Sequence, residues 1–174
     1  NSRLGLQRAR VVRCLGNPSA PKAVSLIAIH QHNIPDTFSE QALEEARVSG
    51  QRKLVEHEDL CHLPFVTIDP EGARDHDDAV FAQADSDRDN MGGHLIWVAI
   101  ADVAHYVRPG TALNEAARKR GNSTYFSDRV VPMLPEALSA DLCSLHQGAK
   151  RPCLVVCLKI DSKGKKINHE FHQA

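Results

Sequence analysis

The alternation of hydrophobic and polar positions predicts several strands and a few short helices along the 174 residues. The longest apolar run, residues 95–101, is typical of a buried strand, and a second apolar run covers residues 153–158. They predict strands at residues 94–102 and 153–160. Further strands are expected at residues 65–68, 79–82, 130–134 and 166–172, with polar turns at 85–93 and 161–164. This mixture favours an α+β fold with a mostly antiparallel sheet and interspersed helices.

Three helices are expected from their periodicity and their end residues. Residues 22–31 form a short candidate helix that ends before Pro35. Thr37 and Glu40 have the spacing of a capping box, which predicts the start of a second helix. Residues 111–120 have helical composition and end at Gly121, in the position of a C-terminal cap. Residues 48–62 are polar and indicate a linker, and residues 8–16 indicate one isolated strand with a turn.

The composition is that of an ordinary globular protein, with 42% hydrophobic and 25% charged residues. No apolar run approaches the roughly 20 residues that a membrane-spanning helix needs. Because the first residues also lack an apolar stretch like that of a signal peptide, we expect a cytoplasmic protein with no membrane partner. The five cysteines are an odd number without a disulfide-scaffold spacing, and Cys153 and Cys157 are expected to be reduced core thiols.

Charge is distributed unevenly between the two halves, although the net charge is only −1. Residues 1–90 contain 10 basic and 15 acidic side chains, and residues 91–174 contain 11 basic and 7 acidic side chains. This arrangement suits a cation site beside a polyanion. An uneven surface with no function is the simpler alternative.

The main chemical candidate is a short segment with four aspartates, Asp69, Asp75, Asp77 and Asp78, between two apolar runs. Clustering four carboxylates costs electrostatic energy, which a divalent cation would offset. Short carboxylates on a turn suit Mg²⁺ or Mn²⁺, whereas a calcium-binding EF-hand loop would require different residues at 79, 80 and 86. The chain has no Cys-x-x-Cys or His-Glu-x-x-His zinc motif. A solvated acidic loop remains the alternative.

This segment also carries a family resemblance. Thr67-Ile68-Asp69-Pro70 followed by Asp75-His76-Asp77-Asp78-Ala79 resembles the active-site motif of the ribonuclease II/ribonuclease R family of 3′→5′ exoribonucleases. Similar segments continue at residues 97–103, 106–110, 121–125, 131–136 and 138–145, so the resemblance covers residues 63–174. The bacterial ribonuclease R branch looks closest, with ribonuclease II proper as the other possibility.

The resemblance implies roles for individual residues. Asp69, Asp75 and Asp78 would hold Mg²⁺ or Mn²⁺, and Asp77 would be the carboxylate most directly tied to catalysis. Tyr125 would stack on a base near the 3′ end of single-stranded RNA, which the family hydrolyses processively to 5′-nucleoside monophosphates. His76 stands where many relatives would have a more apolar residue. The basic run 118–120 could contact backbone phosphates, although it is equally typical of a solvated helix end.

The resemblance also implies a domain organisation. Residues 63–174 would be the first half of an RNB-type catalytic domain, residues 21–62 a helical linker, and residues 1–20 the tail of a cold-shock or OB-like domain. The remaining half of the catalytic domain and flanking OB and S1 domains would then be partners, and the chain alone would be inactive. A non-catalytic RNA-binding or scaffold module with a structural acidic loop is the alternative, and it would bind RNA without metal-dependent hydrolysis.

Overall fold

The computed structural model describes residues 9–12, 14–17, 19–20 and 22–174. Two α-helices precede a four-stranded antiparallel sheet. Two further α-helices, a two-stranded sheet and a π-helix (Leu138–Leu142) lie in the connection between the second and third strands of the large sheet. The helices are α1 (Ala23–Gln31), α2 (Glu40–Ser49), α3 (Val103–Tyr106) and α4 (Ala112–Arg120). The strands are β1 (Asp78–Ala84), β2 (His94–Ala101), β3 (Thr124–Tyr125), β4 (Val130–Val131), β5 (Cys153–Ile160) and β6 (Lys166–Gln173). The expected α+β fold with an antiparallel sheet is confirmed.

The large sheet has the strand order β1-β2-β5-β6, and every neighbouring pair is antiparallel. Because side chains alternate between the two faces of a strand, Ala79, Ala99 and Val155 lie side by side on one buried face. Leu60 covers this face and completes a small core cluster. The sheet therefore buries one face against the segment that precedes the acidic residues.

A second core cluster lies between the helices and one end of the sheet. It joins Ala46 of α2, Leu113 and Ala117 of α4, and Ala101 at the end of β2. The Ala101 N–H also donates a hydrogen bond to the carbonyl of Asp77, the residue before β1. This cluster therefore fixes the end of the sheet at which β1 begins. Among the described residues, no helix is long and apolar enough to cross a membrane.

The helix ends agree with the sequence at α4 and differ at α2. The Thr111 hydroxyl caps α4 by accepting a hydrogen bond from the Asn114 N–H, and Gly121 ends the helix with a φ of 76°. The start of α2 was predicted at Thr37, but Ser39 is the N-cap and accepts from the Ala42 N–H. The capping box was therefore wrong by two residues, because the backbone remains extended through Ser39.

Two predicted strands are much shorter than expected. Of residues 65–68, only Val66 pairs, in a single antiparallel bridge with Val80; Pro64, which has no N–H to donate, precedes it. Of residues 130–134, only Val130 and Val131 form a strand, because Pro132 ends the ladder. The predicted strand at 8–16 lies partly outside the described residues, and its described positions form no strand. Half of the predicted domain tail at 1–20 likewise lies outside the described residues.

All five cysteines are free thiols. Burial raises the pKa of the Cys143 thiol to about 12 and that of Cys153 to about 11. Both thiols are therefore protonated at neutral pH and behave as small apolar side chains. Cys153 packs against the core beneath the sheet and Cys157 is half-buried, which agrees with the expectation for these two residues.

The face of the sheet opposite this core is apolar and exposed. Ile100, Leu154 and Phe171 have relative exposures of 44%, 49% and 66%. Ile100 and Leu154 are register partners, so their side chains are adjacent on this face. An exposed apolar face of this kind promotes association.

We expect the 174-residue chain on its own to self-associate through this face. The double variant Ile100→Thr/Leu154→Thr should lower the associated fraction in light scattering, because threonine is favourable in strands and lowers the apolar area. Val130→Thr, at an exposed position on the separate small sheet, is the matched control and should change association little. Equal association of the wild type and the double variant would contradict the prediction.

Candidate active site and RNA interface

The four aspartates lie on one loop, residues 69–78, which we call the acidic loop. Before it, Val66 pairs with Val80 by two backbone hydrogen bonds of 2.9–3.0 Å. At its other end, the Asp77 carbonyl accepts a hydrogen bond from the Ala101 N–H at 2.9 Å. Both ends of the acidic loop are thus tied to the large sheet, which limits how far the carboxylates can separate.

The middle of the acidic loop is held by Ser144, a fully buried residue. Its hydroxyl accepts from the His76 N–H at 3.0 Å and donates to the Arg74 carbonyl at 2.9 Å. The next residue, Leu145, donates its N–H to the His76 carbonyl at 2.7 Å. These hydrogen bonds, which we call the Ser144 clamp, satisfy loop backbone groups and fix the path of the chain between Arg74 and His76.

Asp69 is held by a histidine of the same loop. The Nδ1 atom of His76 lies 2.8 Å from Oδ2 of Asp69, and the two side chains are 25% and 15% exposed. A carboxylate can only accept, so the imidazole Nδ1–H donates. Asp69 is therefore the more enclosed side chain of this pair, and one of its carboxylate oxygens already accepts a hydrogen bond.

Asp75 lies beside the predicted stacking residue. The Tyr125 hydroxyl donates to Oδ2 of Asp75 at 3.4 Å, a long hydrogen bond. The tyrosine ring lies on β3 and is 67% exposed. The fold thus brings Tyr125 to the acidic loop from a position 50 residues away and leaves its ring open to solvent.

Asp77 and Asp78 are exposed, and their side chains form no hydrogen bond or ion pair with the residues that the structure describes. Asp78 is the first residue of β1 and lies opposite Ile100 in the ladder. Because Ala79 faces the buried side, Asp78 lies on the opposite side of the sheet.

The four carboxylates supply only oxygen ligands, which suit Mg²⁺ or Mn²⁺ by donor chemistry. In residues 9–12, 14–17, 19–20 and 22–174, no three histidine, cysteine or acidic side chains are arranged to hold a metal ion. The aspartates thus lie on one tethered loop, but their side chains are not arranged around a common point in this structure. Metal ligation by Asp69, Asp75 and Asp78 stays a prediction.

An open cavity of about 650 Å³ adjoins the acidic loop on the side of the Ser144 clamp. The His76 ring meets the His146 ring edge to face there, with centroids 6.0 Å apart. Arg74 and Glu136 form a 3.7 Å ion pair at its rim, and both side chains are highly exposed. The cavity is lined by Ala73, Arg74, His76, Glu136, Ala137, Ala140, Asp141 and His146.

The basic run 118–120 divides into two kinds of residue. Arg120 is half-buried, donates to the Thr37 carbonyl at 2.6 Å, and lies 3.7 Å from the centroid of the Phe38 ring. This arginine therefore joins α4 to the start of α2. Arg118 and Lys119 are exposed, so only these two remain as candidate phosphate contacts.

Residues 57–174, more than half of the chain, match the RNB domain. The chain belongs to the RNB domain family. It is similar to ribonuclease R of Vibrio parahaemolyticus, with 45% identity over 170 residues that cover 95% of this chain and 20% of that protein. The chain thus spans about one fifth of the length of the curated relatives it matches.

Solved structures show the same fold for this RNB domain. Mycoplasma genitalium RNase R, in complex with ribose-methylated single-stranded RNA, matches with a TM-score of 0.77 and 30% identity over 91% of this chain and 24% of that one. Yeast Ssd1, a pseudonuclease, matches with a TM-score of 0.68 and 17% identity over 91% of this chain and 20% of that one. The second likeness concerns the fold alone.

Sequence reasoning missed the Ser144 clamp in this RNB domain. Ser144 lies in a segment that carried the family resemblance, but nothing in its spacing indicated a bond to the acidic loop about 70 residues earlier. The Asp69–His76 hydrogen bond was also missed, although the two residues are only seven positions apart. The apolar residues on either side of Ser144, Cys143 and Leu145, are a sequence signal that this segment is buried. They carry no information about which loop the Ser144 hydroxyl bonds to.

Replacing Ser144 with alanine should destabilise the RNB domain by about 1–3 kcal/mol, because the His76 N–H and the Arg74 carbonyl each lose a partner. Urea unfolding measures the loss, and hydrogen exchange should show lower protection at the His76 amide. The matched control is Ser49→Ala, at a fully buried serine whose hydroxyl bonds only to the Ala46 carbonyl within α2. A similar small loss in both variants would show that the clamp does not hold the loop.

Proposed function

We propose that this chain is part of a longer 3′→5′ exoribonuclease that hydrolyses single-stranded RNA to 5′-nucleoside monophosphates with Mg²⁺ or Mn²⁺. The observation that carries the proposal is the juxtaposition of the exposed Tyr125 ring and the Asp75 carboxylate. It combines a surface suited to a nucleobase with a carboxylate loop suited to phosphate chemistry. Membership of the RNB domain family and similarity to ribonuclease R relatives support it.

We assign the metal ligands to Asp69, Asp75 and Asp78, which the sequence motif and the tethered acidic loop both favour. The chemistry that a bound divalent cation would supply is stabilisation of charge at the phosphate and activation of water. The chain itself restrains the backbone of the loop that carries these carboxylates, through hydrogen bonds to Ser144 and Ala101.

We assign the catalytic carboxylate to Asp77. Its side chain is exposed and has no partner in the described part of the chain, while its carbonyl is bonded to the Ala101 N–H. The backbone is therefore fixed and the carboxylate can accept a proton or a hydrogen bond from a reacting group.

We assign base stacking to Tyr125. An aromatic ring can stack on any base without reading sequence, which suits an enzyme that degrades RNA of any sequence. Arg118 and Lys119 are candidate contacts for the RNA backbone, because their side chains are exposed near the end of α4, seven and six positions before Tyr125.

We propose that the active protein is cytoplasmic and contains further parts. The remaining half of the catalytic domain and flanking OB and S1 domains would supply cations around the phosphate and an RNA channel. The length of the relatives supports this proposal, because they are about five times longer than the chain's matched span. The isolated chain is accordingly expected to be inactive.

A non-catalytic RNA-binding or scaffold role is the second candidate. The specific observation in its favour is that, in the described part of the chain, no three histidine, cysteine or acidic side chains are arranged to hold a metal ion. The acidic loop of this chain retains all four aspartates of the family motif, which favours the enzyme. Divalent-cation-dependent release of mononucleotides by the full-length protein separates the two roles.

In the full-length protein, Asp77→Asn should lower the hydrolysis rate by about 10²–10⁴-fold, because it removes a carboxylate that takes part in proton transfer. RNA affinity should stay similar or rise, since one negative charge beside a phosphate is lost. The assay is mononucleotide release from labelled poly(A), with binding measured separately. Asp89→Asn, at an exposed turn residue, is the matched control and should keep full activity. Near-wild-type hydrolysis by the Asp77 variant would refute the assignment.

Tyr125→Ala should alter the length of the shortest product more than the initial rate, because stacking matters most when few nucleotides hold the RNA. The loss of one stacked base should weaken binding of a short oligonucleotide by about 5- to 150-fold. Tyr125→Phe keeps the ring, loses only the long bond to Asp75, and should retain the wild-type product. Denaturing gels size the products. An unchanged end product and unchanged oligonucleotide affinity in the alanine variant would exclude a stacking role.

A further inference from the structure

The hairpin formed by β3 and β4 carries the Tyr125 ring, and each of its strands has two residues. One backbone hydrogen bond of 2.8 Å, from the Phe126 N–H to the Arg129 carbonyl, closes its turn. A two-stranded hairpin is only marginally stable without support from the rest of the protein. The Tyr125 ring is 67% exposed, and its hydroxyl bonds to Asp75 at the long distance of 3.4 Å. The placement of the ring therefore depends on what holds the hairpin.

The base and the turn of this hairpin are held by different parts of the chain. At the base, Val131 is buried, and the Ser123 hydroxyl accepts a hydrogen bond from the Met133 N–H at 2.9 Å. At the turn, Oδ2 of Asp128 accepts a hydrogen bond from the hydroxyl of Ser25, which lies on α1, at 2.9 Å. Helix α1 precedes the residues that match the RNB domain. The turn that follows the tyrosine is thus held from outside the matched domain.

The contact between α1 and the turn is polar and largely enclosed. Ser25 is 5% exposed, and its hydroxyl can donate to Asp128 or, at the longer distance of 3.1 Å, to the Lys22 carbonyl. The guanidinium of Arg129 donates from Nε to the same oxygen of Asp128 at 3.1 Å and from Nη2 to the Lys22 carbonyl at 3.3 Å. We call these hydrogen bonds the α1–hairpin contact. Because Asp128 is ionised and mostly shielded from water, its bonds are stronger than those between neutral groups.

Apolar packing between α1 and the hairpin turn is incomplete. An open cavity of about 110 Å³ lies between them. Groups that line a gap lose dispersion contacts, so the polar α1–hairpin contact carries more of the attachment. The cavity is lined by Val24, Ser25, Ala28, Phe126, Ser127 and Asp128.

We propose that α1 is part of the RNA site, with Ser25 and Asp128 as positioning residues that hold the hairpin so that Tyr125 can stack on the 3′-terminal base. This inference rests on the proposed function, in which Tyr125 stacks on RNA. A ring held in its binding position before RNA arrives loses less conformational freedom on binding, so the same stacking contact gives a higher affinity. Loss of the contact lowers the fraction of molecules in which the ring is in place.

The test uses the full-length protein and a short single-stranded RNA with methylated riboses and 2-aminopurine as its 3′-terminal base. The fluorescence of 2-aminopurine is quenched when it stacks on an aromatic ring, so the assay reports stacking as well as affinity. Ser25→Ala removes the donor and should raise Kd by about threefold to tenfold. The fluorescence of the saturated complex should also rise, which a residue that only stabilises the fold would not cause.

Two substitutions at Asp128 separate the hydrogen bond from other effects. Asp128→Ala removes the acceptor and should weaken binding as much as Ser25→Ala does. Asp128→Asn keeps an oxygen that accepts from the Ser25 hydroxyl, so it should restore most of the affinity and the quenching.

Two matched controls should keep the affinity and the quenching of the wild type. Ser49→Ala removes another buried hydroxyl that bonds to the carbonyl three residues earlier, but whose bond stays within α2. Ser127→Ala changes the exposed neighbour of Asp128 in the same turn, whose side chain makes no hydrogen bond to the residues that the structure describes.

A double variant tests whether the contact acts through the tyrosine ring. When Tyr125→Ala is already present, adding Ser25→Ala should weaken binding no further, because the ring that the contact positions is gone. A loss that persists undiminished in the double variant would overturn the inference.

Wild-type affinity and quenching in folded Ser25→Ala, when Tyr125→Ala weakens binding, would overturn the inference and leave the proposed function intact. Wild-type affinity in Tyr125→Ala would overturn the stacking role and the inference together. Circular dichroism melting establishes that each variant is folded. If Ser25→Ala does not fold, the two Asp128 variants decide, and equal affinities of the alanine and asparagine variants would overturn the inference.

Discussion

The acidic loop carries five carboxylates within ten residues, those of four aspartates and Glu71. Their mutual repulsion favours an open loop unless its backbone is bonded elsewhere. The Ser144 clamp supplies that bonding from inside the protein, where a lost hydrogen bond is costly. Ser144 follows the buried Cys143, which belongs to the core between the helices and the sheet. The stability of the core is thereby coupled to the geometry of the carboxylates.

The large sheet holds both ends of the acidic loop, whereas the Ser144 clamp holds its middle. The Val66–Val80 bridge and the Asp77–Ala101 hydrogen bond attach the loop to β1 and β2. Helix α4 then ends at Gly121, and the chain returns through β3 with Tyr125 exposed beside Asp75. The connection between β2 and β5 contains both Ser144 and Tyr125. Because Ser144 bonds to the acidic loop, the Tyr125 ring and the carboxylates of the loop are adjacent.

Features that depend on local sequence were predictable, and features that depend on distant contacts were not. The long apolar runs of β2 and β5 and the Thr111 and Gly121 ends of α4 follow from local patterns, and the structure confirms them. The start of α2 was misplaced because Thr37 and Ser39 are both plausible caps, and tertiary packing of Arg120 on Phe38 and Thr37 favours the later one. The aspartates were evident from the motif, whereas the Ser144 clamp joins residues about 70 positions apart and has no local pattern.

The central claim is that the acidic loop, held by Ser144, is the divalent-cation and RNA site of an exoribonuclease. The most direct measurement is anomalous X-ray diffraction at the manganese edge, from crystals of the full-length protein with Mn²⁺ and a short single-stranded RNA. The account predicts an anomalous peak within coordination distance of Asp69, Asp75 or Asp78, with the 3′-terminal base stacked on Tyr125. A manganese peak away from residues 69–78, or RNA whose 3′ end does not reach Tyr125, would contradict it.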